Sequence, residues 1–373
     1  MSYNPQLNLH LSQGEIFLDK SKNNNYSDVA KKQYQNKLFD VFSKIKSSIV
    51  DNLDQTVIFE KQEHLNFIFR SLEFLKDSTL NSIPFEVVSC LNMAMNDWVD
   101  GNDYIIVTSL NNNVHAYSYD PSLAFEDLLY KSIEANYGVV FEKKLVQINL
   151  PLILSRDYFS SVVLYHELGH FVDLRYGISQ KIALFLLGQS QSEWDKYNKY
   201  LPIPQNVQYQ SVLESHIAEY FCDIFASQYI GTTSNLYLKY LTKNSSSVSY
   251  THPSTTNRIQ AVDDFISNTS NPIVDKIKEY TLQISNRELK TRFTNLTSED
   301  FYNFIPVEAN SAEDVHGIFQ YAWNIWLNGT DDFVNKSKVK SGLSSDRVYK
   351  ILNNLIEKSI GNYFICLDWK STI

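Results

Sequence analysis

Apolar residues three or four positions apart recur near both ends of the chain, which predicts helices there. Two long helices are predicted within residues 26–78, and residues 254–373 are predicted to be mostly helical. The positions that share this spacing are Leu38, Phe42, Ile45 and Ile49, then Leu65, Phe69, Leu72 and Leu75, and later Ile259, Val262, Phe265, Val348, Ile351, Leu352 and Leu355. The pattern therefore predicts helical regions over residues 1–100 and 269–373.

Two short segments in the middle of the chain have strand character instead. Residues 104–110 (YIIVTSL) and 145–150 (LVQINL) are rich in β-branched and other apolar residues, and a helix is predicted between them over residues 123–135. Residues 145–150 partly alternate apolar and polar side chains, as in a strand with one buried face. We expect a small sheet whose edge strand includes part of residues 145–150.

Two further helices follow the second strand. Residues 157–176 are broadly apolar and precede Gly177, and residues 211–230 precede Gly231, so both glycines suit helix ends. A less regular insertion is expected between them, at about residues 178–208.

Composition bounds the class of protein. With 373 residues, 43% of them hydrophobic, the chain can bury a large core, and its elements predict a mostly helical α+β fold with a central domain at residues 101–268. The formal charge of -9 argues against nucleic acid as a partner, because phosphate binding needs clustered Lys and Arg. Three widely spaced cysteines indicate a reducing compartment. Since neither a signal peptide nor an apolar run of the ~20 residues needed to span a membrane is found, we expect a cytoplasmic protein.

The segment YHELGHF at residues 165–171 contains the pattern HExxH within a predicted helix. Residues four apart on a helix lie ~6 Å apart along its axis and about 40° apart around it, so His166 and His170 can bind one metal ion. Glu167 lies beside that ion, where it can take a proton from water. The apolar flanks argue against a chance pattern on a surface helix, because buried imidazoles and carboxylates need partners. Two imidazoles and a third ligand predict catalytic Zn²⁺.

Several residues are candidates for the third ligand. Asp173 lies ~10 Å along the helix from His166 and is expected at the surface or behind the ligands. Glu219 and Asp223 stand four apart on the next helix, so Glu219 can bind the metal while Asp223 accepts a ring N–H of a ligand histidine. The alternative is an exposed carboxylate pair, which the apolar neighbours disfavour. His216, three residues before Glu219, is a further candidate ligand.

The order of these motifs resembles a known family. HELGH followed by ExxxD at residues 219–223 resembles the gluzincin metallopeptidases. Residues 251–259 (THPSTTNRI) are similar to the HPxxxxRI segment of peptidase family M48, which includes the membrane CAAX prenyl proteases and the HtpX heat-shock proteases. Because no membrane span is predicted, the chain resembles soluble members, over about residues 104–265. The resemblance implies a zincin-like, minigluzincin core with a small sheet, an HExxH helix and a glutamate helix.

This resemblance implies a zinc endopeptidase that acts on particular protein or peptide substrates. His252 is the candidate that stabilises the oxyanion, and Arg258 the candidate that orients His252 or a carboxylate ligand. The alternative is that His252 caps a helix and Arg258 forms a surface ion pair. Two other functions stay open: a regulatory or binding protein that keeps the zincin fold without turnover, and a hydrolase that acts on a small amide or a non-peptide substrate in a closed pocket.

Overall fold

The computed structural model describes residues 5–26, 28–50, 53–79, 84–113, 117–242, 248–338 and 342–371. These residues form a mostly helical α+β protein with a three-stranded sheet, as the apolar pattern predicts. The α-helices are α1 (Pro5–Ser21), α2 (Val29–Ser47), α3 (Gln55–Lys76), α4 (Phe85–Asn96), α5 (Asp127–Tyr137), α6 (Val163–Tyr176), α7 (Ile178–Leu187), α8 (Gln191–Trp194), α9 (Gln210–Ile230), α10 (Thr233–Thr242), α11 (Thr255–Ile266), α12 (Pro272–Ser285), α13 (Ala312–Leu327), α14 (Gly329–Lys336) and α15 (Ser345–Ser371). The strands are β1 (Tyr104–Asn111), β2 (Ser118–Asp120) and β3 (Lys144–Pro151). Within the described part of the chain, every helix is too short or too polar to cross a lipid bilayer.

The chain divides into two compact units. One consists of Met1–Val88 and Val99–Arg156, the other of Ser89–Trp98 and Asp157–Ile373. This grouping differs from the predicted domains, because the sheet belongs with the N-terminal helices and the C-terminal helices belong with α6 and α9. In the first unit α3 packs on α1, α2 and β1, and in the second α9 packs on α6, α7, α11 and α13. Each layer buries its apolar face against the other layers of its own unit.

The sheet of the first unit has the order β1-β3-β2. β3 pairs in parallel with β1, where Ile105 lies opposite Leu145, and antiparallel with β2, where Tyr119 lies opposite Ile148. The predicted edge position of residues 145–150 is therefore wrong. The partial alternation was misleading because the polar residue Gln147 is itself buried in this central strand.

The predicted helices of the first unit are confirmed with small shifts of their ends. α2 and α3 are the two long helices expected within residues 26–78, and an aspartate caps each. Asp28 accepts a hydrogen bond from the backbone N–H of Ala30, and Asp54 from that of Thr56. α1 and α4 lie within the predicted helical region 1–100, although neither was predicted as an individual helix.

Two predictions for the second unit need correction. α6 begins at Val163 rather than near residue 157, because the hydroxyls of Ser160 and Ser161 bond back to main-chain carbonyls in the preceding turns. The insertion after Gly177 is more regular than expected, since α7 forms there and packs on α9. α6 ends as predicted at Gly177, whose φ of 66° is the left-handed conformation that favours glycine.

Candidate metal centre

The site begins with a close approach of α6 and α9 in the second unit. At Gly169, between the two histidines of the HExxH pattern, an added Cβ would lie only 3.0 Å from the Cα of Cys222 on α9. A larger residue would force the two backbones apart. Glycine here lets the imidazoles of α6 reach the carboxylates of α9.

The side chains of His166, His170 and Glu219 meet at this contact. The Nε2 atom of His166 lies 3.5 Å from Oε2 of Glu219, and the Nε2 atom of His170 lies 3.5 Å from Oε1. Two ligands bound at ~2.0–2.1 Å to a tetrahedral zinc ion are about 3.4 Å apart, so both separations suit a shared ion.

One carboxylate oxygen of Glu219 gives more direct evidence for a metal site. Oε2 of Glu219 is buried and has no hydrogen-bond partner in the described part of the chain. The Nη1 atom of Arg258 is 3.0 Å away, but this ion pair lacks the alignment of a hydrogen bond. Since buried carboxylate oxygens are nearly always partnered, the residues present fit a cation at this position.

Asp223 and Arg258 form a buried ion pair behind these residues. The Oδ1 atom of Asp223 lies 3.0 Å from Nδ1 of His166, on the side of the ring away from Glu219. Arg258 binds Asp223 in a bidentate manner, from Nε at 2.6 Å and from Nη2 at 2.8 Å. All three side chains and Glu219 are largely buried, so the alternatives of an exposed carboxylate pair and a surface Arg258 ion pair are wrong. The arrangement fixes the orientation of the His166 ring.

The pKa values follow from burial and from these contacts. Burial alone would lower the pKa of His166, but the hydrogen bond to Asp223 and the negative charges of Asp223 and Glu219 raise it to about 10. Burial lowers the pKa of His170 to about 4, which favours the neutral imidazole that binds metals. Burial opposes ionisation of Glu219, yet the Arg258 charge holds its pKa well below the usual range. Burial raises the pKa of Glu167 to about 7.

His252 reaches the same carboxylate from the turn before α11. Its Nε2 atom lies 3.5 Å from Oε1 of Glu219, and its side chain is 55% exposed. Ser254, and not His252, caps α11, since the Ser254 hydroxyl accepts a hydrogen bond from the backbone N–H of Asn257. The alternative capping role of His252 is therefore wrong.

The structure places the two weaker ligand candidates in other roles. Asp173 is buried rather than at the surface, and it accepts hydrogen bonds from the backbone N–H of Ser179 at 2.7 Å and from its hydroxyl at 2.5 Å. It holds the first turn of α7. The Nε2 atom of His216 is 2.8 Å from the carbonyl oxygen of Ser249, so this ring nitrogen is already engaged.

Cys222 is a competing ligand that sequence analysis did not consider. Potential ligand atoms of His166, His170 and Cys222 all lie within 4.8 Å of one another. Burial, followed by nearby carboxylates, raises the pKa of the Cys222 thiol well above its usual value, whereas only the thiolate binds zinc strongly. Glu219 is already ionised, which favours it as the third ligand. The sequence signal for Cys222 was its place three residues after Glu219 on the same helix.

Comparisons of the chain with protein-family models, curated proteins and solved structures found no significant match. The functional argument therefore depends on the chemistry of this site.

Proposed function

We propose that the chain is a zinc-dependent endopeptidase with a zincin-like core of the gluzincin type, similar to soluble members of family M48. His166, His170 and Glu219 would hold the ion. One observation carries this proposal: Glu219 is buried and ionised, its Oε2 atom has no hydrogen-bond donor among the described residues, and it lies at ligand spacing from the two imidazoles. Three protein ligands with an open fourth position are typical of catalytic zinc sites.

A zinc ion held there would polarise a substrate carbonyl and lower the pKa of water. Glu167 is buried with a pKa near neutrality, which suits a general base. It takes a proton from the attacking water and passes it to the departing amine, while the water oxygen joins the carbonyl carbon and the C–N bond breaks. His252 donates a hydrogen bond to the oxyanion.

Arg258 and Asp223 act on this chemistry through other residues. Asp223 accepts the Nδ1–H of His166 and so leaves Nε2 as the nitrogen available to the metal. The positive charge of Arg258 keeps the carboxylates of Asp223 and Glu219 ionised.

A peptide is the proposed substrate class because the site has an open side. His252 faces Glu219 while more than half of its side chain is exposed, so a long chain can reach this group without entering a closed cavity. An enclosed site would favour the alternative of a small amide.

The decisive experiment combines metal analysis with one substitution. We expect about one zinc per chain by elemental analysis and casein hydrolysis that a chelator abolishes. Glu167→Gln should keep the zinc and lose hydrolysis by at least ~10³-fold, because the amide cannot accept the proton. Glu86→Gln, which alters another buried glutamate on α4, is the matched control and should stay active.

Each other outcome points to a different function. Loss of zinc in Glu167→Gln would make Glu167 a ligand. Stoichiometric zinc with no hydrolysis of casein or of a peptide library by the unaltered protein would favour the binding protein without turnover.

A further inference from the structure

His216 is a fully buried histidine that the proposed chemistry does not use. On α9 it lies one turn before Glu219, with 0% of its surface exposed. Its Nε2 atom is 2.8 Å from the carbonyl oxygen of Ser249, and its Nδ1 atom has no hydrogen-bond partner among the residues that the structure describes. Because a carbonyl can only accept, Nε2 carries the proton and the ring is held by this one bond.

The bond ends on the turn that carries His252. The Ser249 hydroxyl accepts a hydrogen bond from the backbone N–H of His252 at 2.9 Å, and the backbone N–H of Ser249 donates to the His252 carbonyl at 3.0 Å. The Thr251 hydroxyl lies 2.7 Å from Nδ1 of His252. Backbone and ring of His252 are thus both fixed within the turn, and His216 ties that turn to α9.

The downstream side of the turn has its own anchors. Pro253 restricts the backbone after His252, and Ser254 begins α11 as its cap. One turn later Arg258 binds Asp223 and Glu219. The His216 bond supplies an anchor on the upstream side.

We propose that His216 is a positioning residue that sets His252 against Glu219 by binding the Ser249 carbonyl. This inference depends on the proposed function only for what His252 does there. The contact itself can be tested without metal or substrate.

Two substitutions separate the hydrogen bond from the mere filling of space. The amide nitrogen of His216→Gln can stand where Nε2 stands and donate to Ser249, whereas that of His216→Asn is too short to reach. Hydrogen exchange of the His252 amide, measured on the full metal-free chain, should be ~10-fold faster in His216→Asn and nearly unchanged in His216→Gln. Diethyl pyrocarbonate should modify His252 faster in His216→Asn than in the unaltered protein. His64→Asn, which alters another buried histidine, should leave both readouts unchanged.

With zinc bound, His216→Asn should keep full metal stoichiometry and lower kcat by roughly 10- to 100-fold with little change in KM, since a misplaced group costs rate rather than ground-state binding. His216→Gln should restore kcat. If His216→Asn does not fold, His216→Leu provides the same test with an apolar side chain.

Unchanged exchange of the His252 amide in a folded His216→Asn or His216→Leu protein would overturn the inference. If hydrogen exchange of the His252 amide changes as expected but zinc or hydrolysis is absent, the proposed function fails while the positioning of His252 by His216 is supported. Loss of kcat in His216→Gln equal to that in His216→Asn would also contradict the positioning role.

Discussion

Each unit of the molecule places histidine beside a carboxylate, and the two clusters differ in the partners of the histidine ring nitrogens. In the first unit, Nδ1 of His64 lies 3.0 Å from the Tyr137 hydroxyl, and Nε2 lies 2.9 Å from the Ser132 hydroxyl. Ser132 in turn donates to Glu60 at 2.9 Å. Both ring nitrogens have neutral partners on α5, so the cluster joins α3 to α5 and needs no ion.

The cluster of the second unit is not closed in this way. The Nε2 atoms of His166 and His170 face Glu219 at 3.5 Å, longer than the roughly 2.7–3.2 Å of an N–H···O hydrogen bond. One Glu219 oxygen has no donor among the described residues, although the carboxylate is ionised. Both clusters combine histidine with a carboxylate. The difference teaches that a histidine such as His64, whose ring nitrogens both have neutral partners, has no nitrogen left to bind a metal.

The strongest way to break this comparison is to remove one histidine from each cluster. His170→Ala should lower zinc affinity by at least ~10³-fold, more than is typical for residues that only orient a ligand. His64→Ala should bind zinc like the unaltered protein and lose only stability. Competition with a chromophoric chelator measures both affinities. Retention of zinc by His170→Ala would move the metal to another ligand set, and Cys222→Ser would then test the thiol.

Asp223 and Tyr137, which each contact a ring nitrogen of a histidine, allow the same comparison with smaller expected effects. Asp223→Asn should lower zinc affinity by ~10–100-fold without removing the site, because the amide still accepts the N–H of His166 but holds the ring less firmly. Tyr137→Phe removes the corresponding partner of His64. It should leave zinc affinity unchanged and cost about 1–3 kcal/mol in free energy of unfolding, because a buried nitrogen loses its bond.

Chelator competition and chemical denaturation measure these two effects separately. Equal zinc affinity in Asp223→Asn and the unaltered protein would contradict the orienting role of Asp223.

Local spacing explains which parts of the site could be predicted from the sequence. His166, Glu167 and His170 follow from one helix, and Glu219 and Asp223 from another, since residues four apart on a helix share a face. The structure brings the two helices together, and the roles of these residues stay predictions. The mostly helical class with a small sheet was likewise readable from the periods of the apolar pattern.

Contacts between distant segments explain what could not be predicted. The central position of β3 depends on pairing with β2, and the bond of His216 depends on a turn 33 residues away. The fit of Gly169 against Cys222 is equally non-local. The periodicity of a sequence shows which face of a helix or strand is buried, but it does not show which other elements pack there. The division into units and the hydrogen bond from His216 to the turn of His252 therefore required the structure.

The smallest expected effect concerns pH and tests the closed cluster alone. Burial lowers the pKa of His64 from its usual value of 6.5, so the unfolded chain takes up the proton first as the solution is acidified. The contribution of this histidine to stability is therefore complete above pH 6.5 and is lost as the pH falls from there towards its folded pKa, by up to about 1.4 kcal/mol per pH unit. His64→Gln keeps a donor for Ser132 but does not titrate. Between about pH 7 and pH 5.5 it should lose less free energy of unfolding than the unaltered protein, in urea titrations with a chelator present to exclude metal effects. Equal losses in the two proteins would show that the pKa of His64 is the same in the folded and unfolded states. The contrast between the two clusters would then depend only on the zinc affinities of their variants.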